Sequence, residues 1–404
     1  MAKSPKNIVI LGGSYGGLSV AHYTLKHVIP KAADKETFRI ILISTSSQAF
    51  CRPSCPRAML SDDMFPQDKL FVDIEAQFQH YENSINFQFI KGTVVHLDHK
   101  QRVVVIKKAP DTSQELAFHA LVIATGASTP SPLLGFIQDD SFLRESWSAF
   151  RKALPAAQNI VISGGGPTSV ETAGELGQFL NGRPRFFRSR QTSPRVNITI
   201  ITSSSKILPD LRQSIADKAE KLSAGVGVSV IKNARVKSVI PAGARSSLEL
   251  LTSKTTVVLD DGRAIDADIY IPATGTTPNT GFISDRSLLA PDGRVNTNPS
   301  TLRVDCAGPC YRMIYAIGDA SSYARPAVHN ILSAVPVLCA SMRHDLLFGG
   351  SHQEDPAARG TSKGVGAAMG TRLPGFLVWL LKGRDYWLWT TESLWNGKKW
   401  NKES

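Results

Sequence analysis

Two glycine-rich turns hold the residues of this 404-residue chain whose types and spacing point most directly to chemistry. Gly12, Gly13, Ser14, Tyr15, Gly16 and Gly17 follow the apolar stretch Ile8-Val9-Ile10-Leu11. Gly164, Gly165, Gly166, Pro167, Thr168 and Ser169 follow Ile160-Val161-Ile162-Ser163. A strand that feeds a helix through glycines aims backbone N–H groups and the positive end of the helix dipole at one point, where a pyrophosphate fits. Glycine is needed wherever a side chain would block the phosphate. Against the pattern G-x-G-x-x-G, each copy exchanges one glycine for serine, Ser14 in the first and Ser169 in the second. One such turn is weak support and equally describes a tight structural turn. Two copies, each about 110 residues ahead of an Ala-Thr-Gly (Ala124-Thr125-Gly126 and Ala273-Thr274-Gly275), predict two dinucleotide sites.

The elements that must position these turns are repeated too. Each turn opens a helical pattern, over 18–28 and 170–180, and each helix is followed by a second apolar strand, over 38–43 and 196–202. Two βαβ units predict an α/β protein with two doubly wound, Rossmann-like domains. Further strands end in the two Ala-Thr-Gly segments and in Gly318-Asp319. The ribose of the adenosine is normally held by Asp or Glu at the end of the second strand, but 44–47 and 202–205 carry only hydroxyl residues. Ser203 and Lys206, with no carboxylate beside them, suit a 2′-phosphate, so NADPH is expected at least as readily as NADH. A solvated serine-rich turn is the other reading.

These residues resemble a known group. The two turns, Glu171-Thr-Ala-Gly-Glu175, Ala273-Thr-Gly-x-x-Pro278-Asn279 and Ala316-Ile-Gly318-Asp319 occur in the order found in flavoprotein oxidoreductases of the pyridine nucleotide–disulfide type. Within that group the chain looks most like the apoptosis-inducing-factor-like and ferroptosis-suppressor-like NAD(P)H:quinone oxidoreductases, and Lys382-Gly-Arg-Asp-Tyr386 resembles that subgroup as well. The resemblance implies FAD on the first turn beneath Ala124, Thr125 and Gly126, with Gly318 and Asp319 near its ribitol or pyrophosphate. It implies NADPH or NADH on the second turn, touching Gly164, Gly166, Pro167, Thr168, Thr274 and Gly275, and a quinone-like electron acceptor. It also implies an FAD-binding domain over 1–130 and 280–335, an NAD(P)-binding domain over 131–279, and a C-terminal domain over 336–404. Glu171, one helical turn past the second glycine motif, takes the place of a glutamate beside the cofactors. Arg52-Pro-Ser-Cys-Pro-Arg57 resembles a segment whose last residue is a lysine that lies by the flavin and pairs with that glutamate. Arg57 in that place stays charged and could steady negative charge, but could hardly act as a base.

The cysteines suggest an alternative. Cys51 and Cys55 lie where disulfide reductases keep a redox pair, but with three intervening residues in place of four, and with Pro53 and Pro56 interrupting the segment. Free thiols are the preferred reading, and the alternative function is a tailoring flavin oxidoreductase or a dithiol oxidase acting on a specialised metabolite. Cys306 and Cys310 lack the spacing of a zinc knuckle, so no metal is expected. A third alternative is a flavoprotein whose cofactor-dependent shape serves binding or death signalling.

Composition sets outer limits. Hydrophobic residues at 42% and charged residues at 20% exclude wholesale disorder. A net charge of +12 favours anionic partners, but no nucleic-acid reader module accompanies it. The stretch with five arginines (Arg183, Arg185, Arg188, Arg190, Arg195) reads as a loop, and Gly349 to Gly370 reads as a linker. Trp379, Trp387, Trp389, Trp395 and Trp400 crowd the C-terminus among Lys382, Arg384, Lys398, Lys399 and Lys402. Tryptophan beside basic residues suits an anionic membrane surface, with Phe376 to Leu381 dipping into one leaflet. The same tail could pack on the body of the protein or form a homodimer contact. No run approaches the ~18 apolar residues of a membrane span, Ala2 excludes N-myristoylation, and a cytoplasmic protein is expected, with peripheral membrane attachment left open.

Overall fold

A computed structural model describes residues 5–81, 87–109, 112–182, 194–241, 253–305, 313–348 and 388–403. The chain divides into two units. The first comprises Met1–Phe50, Asp68–Ala127 and Thr277–Ser404, and the second Cys51–Gln67 and Ser128–Thr276. This division departs from the three-part expectation twice. Residues 51–67 cluster with the second unit, and the described residues of 336–404 cluster with the first. Leu394, Trp395 and Trp400 join the core of the first unit, which removes any separate C-terminal core among the described residues.

In chain order the central strands are β1 (Lys6–Leu11), β2 (Phe38–Ser44), β3 (Phe87–Lys91), β4 (Ala120–Ile123), β5 (Asn159–Ser163), β6 (Asn197–Ile201), β7 (Val228–Ile231), β8 (Ile269–Pro272) and β9 (Ile314–Ala316). The main helices are α1 (Tyr15–Tyr23), α2 (Asp140–Ala153), α3 (Pro167–Asn181), α4 (Gln213–Gly225), α5 (Val328–Phe348) and α6 (Leu388–Trp395). The first unit has a five-stranded parallel sheet in the order β9-β4-β1-β2-β3, with Ile8 opposite both Ile40 and Ala120. The second has a four-stranded parallel sheet in the order β7-β6-β5-β8. Each glycine turn therefore leaves a strand in the interior of its sheet.

Parallel strands covered on both faces read as unbroken apolar runs, and β1 obeys this rule. Its side chains alternate between two cores. Ile8 and Ile10 pack with α1 and α5 on one face. Val9 and Leu11 pack on the other with Leu97, Val104, Ile106 and Leu116 of a three-stranded antiparallel sheet over 93–98, 103–109 and 112–117. The second unit repeats the device, with Val161 and Ile201 packed on Val257 and Leu259 of the sheet over 236–240, 255–259 and 264–267.

The helix expected over 18–28 is α1, which begins at Tyr15 and runs on through one π turn at Thr24–Val28. α5 corrects the expectation of no span-length apolar segment. It has 21 residues with mean hydropathy 1.4 over its most apolar window, long and apolar enough to cross a membrane by length and composition. Half of that window is buried, its inner face (Ile331, Ala334, Val335, Leu338, Met342) lying in the first core. Asp345 at its far end accepts both arms of Arg303, at 2.8 and 2.9 Å, and the Tyr315 hydroxyl at 2.6 Å. α5 is thus fastened to β9 as a core helix.

Candidate functional site

The two glycine turns are built alike, each wedged between its own second strand and its own Ala-Thr-Gly. In the first unit Gly12 N–H donates to Ile43 at 2.7 Å, and Ala124 N–H donates to Leu11 at 2.8 Å. In the second, Gly164 N–H donates to Ile201 at 2.8 Å, and Ala273 N–H donates to Ser163 at 2.7 Å. Gly12 and Gly164 have φ of 115° and 118°, and a Cβ on either would lie 2.2 Å from the carbonyl oxygen of Ala124 or Ala273. No other residue fits either place. A Cβ on Gly13 would meet Ser44 Cβ at 2.8 Å, and one on Gly165 would meet Thr202 Oγ1 at 2.3 Å.

Beyond the wedge the turns are open. A Cβ added at Gly126, Gly166 or Gly275 would meet nothing within 4 Å, so space for a ligand lies over both Ala-Thr-Gly segments and over the second turn. Ser14 caps α1 and Gly166 caps α3, both in extended conformation and neither giving a side-chain hydrogen bond to the helix start. The leading N–H groups of both helices thus lack a side-chain cap, which is the donor set a pyrophosphate takes. The residues present fit one dinucleotide on each unit.

Thr125 is locked by a partner. Its hydroxyl donates to Asn279 O at 2.7 Å, while Asn279 Nδ2 donates to Thr125 O at 2.9 Å and Asn279 N–H donates to Gly126 O at 3.0 Å. Asn279 was visible only as part of a motif, and its positioning role comes from the structure. Gly318 and Asp319 form a short 3-10 turn just after β9. Burial pushes the neighbouring Tyr323 hydroxyl well above its ordinary pKa, and the Asp319 carboxylate adds to this against a backbone hydrogen bond at Gly318.

In the second unit Pro167 and Thr168 stand exposed in the first turn of α3, and Thr274 and Gly275 are exposed after β8. Ser169, at the third glycine position, is fully buried, and its hydroxyl has no hydrogen-bond partner among the described residues. Ser203 is exposed, and Lys206 Nζ donates to Leu211 O. The loop carrying them closes on the turn through Leu208 N–H, which donates to Gly165 O at 2.6 Å.

Arg57 lies in a one-turn helix, Cys55–Ala58, of the same unit. It grips Glu175 of α3 with two bonds, Nη2 to Oε1 at 2.7 Å and Nε to Oε2 at 3.0 Å. The two side chains are only 18% and 17% exposed. This two-pronged pair is made one helical turn beyond Glu171, the residue named by the resemblance. A planar guanidinium matches a carboxylate in this side-by-side geometry. Arg151 of α2 holds the segment from behind, donating to Ala58 O at 2.7 Å and Met59 O at 3.1 Å and pairing with Asp62 at 2.8 Å. Arg52 lies against Gly135, where a Cβ would come within 3.1 Å of its Nε.

Cys51 and Cys55 are unbridged and each 1% exposed. Burial pushes the Cys55 thiol well above its ordinary pKa, outweighing the opposing charge of Arg52. A thiol so placed holds its proton and is a poor nucleophile. Cys306, Cys310, Arg183, Arg185, Arg188, Arg190, Trp379, Trp387 and Phe376 to Leu381 lie outside the described residues. Trp395 and Trp400 are 1% and 4% exposed, so in these two the tail follows the packing alternative.

Comparison with known proteins agrees with the repeated architecture. The family described as pyridine nucleotide-disulphide oxidoreductase matches residues 6–336. The chain is 56% identical over 418 residues to "Oxidoreductase phnG" of Penicillium herquei, covering 100% of this chain and 99% of that one. It is 24% identical over 397 residues to "Ferroptosis suppressor protein 1" of Mus musculus, covering 94% and 93% of the two chains. The solved structure of the water-forming NADH oxidase from Lactobacillus brevis, bound to NADH, shares the fold with a TM-score of 0.61 at 15% identity, over 83% of this chain and 69% of that one.

Proposed function

Because the chain belongs to the pyridine nucleotide-disulphide oxidoreductase family, and is an FAD-dependent oxidoreductase of pyridine nucleotides, we propose that it hands electrons from NAD(P)H to a quinone-like acceptor with no protein dithiol between. The observation that carries this reading is the state of Cys51 and Cys55, both buried and unbridged, with Cys55 held firmly as a thiol. Electrons that do not leave through a dithiol leave from the flavin itself, and this reading gives them to a small quinone-like molecule.

The roles follow from the two turns. In the first unit Gly12 and Gly13 form the tight turn that lets the FAD pyrophosphate approach, and Ser14, Tyr15, Gly16 and Gly17 present backbone donors to it. Asn279 fixes Thr125 and Gly126 over it. Bound FAD supplies a ring that accepts two electrons as hydride and gives them up again. In the second unit Gly164, Gly166 and Thr168 receive the NAD(P)H pyrophosphate, while Ser203 and Lys206 face its adenosine end. Arg57, cationic at every working pH and gripped by Glu175, is assigned to negative charge developing on the cofactors and not to proton transfer. Glu171 on the same helix is assigned to orienting the nicotinamide.

A second reading changes only the acceptor, to another small organic molecule. It is favoured by the likeness along the whole chain to a fungal protein whose name specifies an oxidoreductase and no quinone. Steady-state NADPH oxidation with a water-soluble ubiquinone analogue tests the proposal in the wild type and in Cys51→Ala/Cys55→Ala. Retained turnover in the variant is expected. Loss of turnover with folding and flavin intact restores the dithiol reading.

A further inference from the structure

The C-terminal residues 388–403 lie along α1, the helix that leaves the first glycine turn. Tyr15, directly after Ser14, has its ring 4.7 Å from that of Trp395. Tyr23 meets Trp400 edge to face at 5.7 Å. Lys26 donates to Gly397 O at 2.7 Å and to Asn401 Oδ1 at 2.8 Å, and His27 Nε2 lies 2.7 Å from Trp400 O. Glu403 ends the segment with ion pairs to Lys31 and Arg343, each at 2.5 Å.

His22 is the centre of this contact. It is fully buried, stacked on Phe78 at 4.1 Å, and burial lowers its pKa to about 3. The ring is therefore neutral and offers one donor and one acceptor. Nε2 lies 2.7 Å from Trp395 O, which can only accept, so Nε2 carries the proton. Nδ1, at 2.7 Å, then accepts from the Tyr81 hydroxyl. A Cβ on Gly397 would lie 2.5 Å from Nδ1, so the segment passes directly over the ring. Without it, the His22 ring would lose both its cover and the acceptor of its N–H.

We infer that the terminal segment is a strap for cofactor retention. By holding Tyr15 and His22, it keeps the start of α1 in the position that the FAD pyrophosphate requires. Trp395 and Lys26 are positioning residues in this scheme, acting through Tyr15 and through the helix. The inference rests on the proposed placement of FAD on the first turn. Coupling between two sites is reciprocal, so bound FAD must also tighten the strap.

Two measurements on the full-length protein test this. Hydrogen–deuterium exchange of 388–403 is expected to slow when FAD is added to the stripped protein. Lys26→Met and Glu403→Gln, both away from the glycine turn, are expected to raise the FAD Kd by about tenfold, within the usual range of intersite coupling. Their affinity for NADP+ on the second unit is expected to stay unchanged. Equal exchange with and without FAD, or an unchanged FAD Kd in both variants, overturns the strap. Loss of flavin from Gly164→Ala but not from Gly12→Ala overturns the placement of FAD, and the inference with it.

Discussion

The Arg57–Glu175 pair gives the sharpest quantitative expectation for the second unit. Removing either partner leaves the other facing a largely dry contact, since the side chains are 18% and 17% exposed. An exposed pair is worth ~0–1 kcal/mol, and breaking a fully buried one costs ~3–5 kcal/mol. At this depth, with two charge-assisted bonds, Glu175→Gln or Arg57→Met is expected to cost about 2 kcal/mol each. The double variant is expected to cost less than the sum, because the second change removes a group already stranded by the first. The coupling is expected at about 1–2 kcal/mol. Urea unfolding of the wild type, both single variants and the double variant yields this number. Strictly additive single effects would show that the 2.7 and 3.0 Å contacts hold no energy, refuting the claim that the pair fixes Arg57. Arg57→Lys adds a functional check. It keeps the charge but loses the fork, and is expected to lower kcat by about tenfold with little change in NADPH KM, as expected when an interaction made mainly in the transition state is weakened.

Three further outcomes follow from the same geometry. Gly164→Ala, whose methyl would lie 2.2 Å from Ala273 O, is expected to raise the Kd for NADP+ by at least about 30-fold while flavin is retained, measured by equilibrium titration. Lys206→Ala is expected to weaken NADPH by about tenfold and leave NADH nearly unchanged, as read from kcat/KM with each; equal loss with both would refute a 2′-phosphate contact. Asp268 accepts the Gln158 and Asn159 N–H groups at 2.9 Å each, and these bonds hold its carboxyl below the usual carboxylate range. Its folded pKa is depressed, so the stability it adds is present above the ordinary value of ~4 and lost as pH falls through the folded pKa. Asp268→Asn is therefore expected to destabilise at pH ~7 and to match the wild type in strong acid, checked by urea midpoints at both.

What could be read in the sequence was local or repeated. The strand–turn–helix units were legible because Ile8 to Leu11 and Ile160 to Ser163 are buried strands with glycines where a Cβ collides with a neighbouring carbonyl. Long-range choices were not legible. Glu171 and Glu175 lie one helical turn apart on α3, and only the docking of 51–67 shows that Glu175 takes the fork of Arg57. That docking depends on Arg151, which reaches Ala58 and Met59 across more than ninety positions. Trp395 and Trp400 suit a membrane surface or a packed core alike, because composition cannot reveal His22 and Tyr23 as their partners. α5 passes a span-length test on apolar content alone, and only its contacts mark it as a core helix.

The central claim is an FAD-dependent route from NAD(P)H to a small acceptor. Its most direct test is an anaerobic absorbance titration of the purified protein with NADPH and with NADH, followed by a quinone. A visible flavin band is expected, bleached stoichiometrically by the nicotinamide and restored on adding the quinone in Cys51→Ala/Cys55→Ala as well as in the wild type. A flavin that neither nicotinamide bleaches, or one that returns only when both cysteines are present, would contradict it.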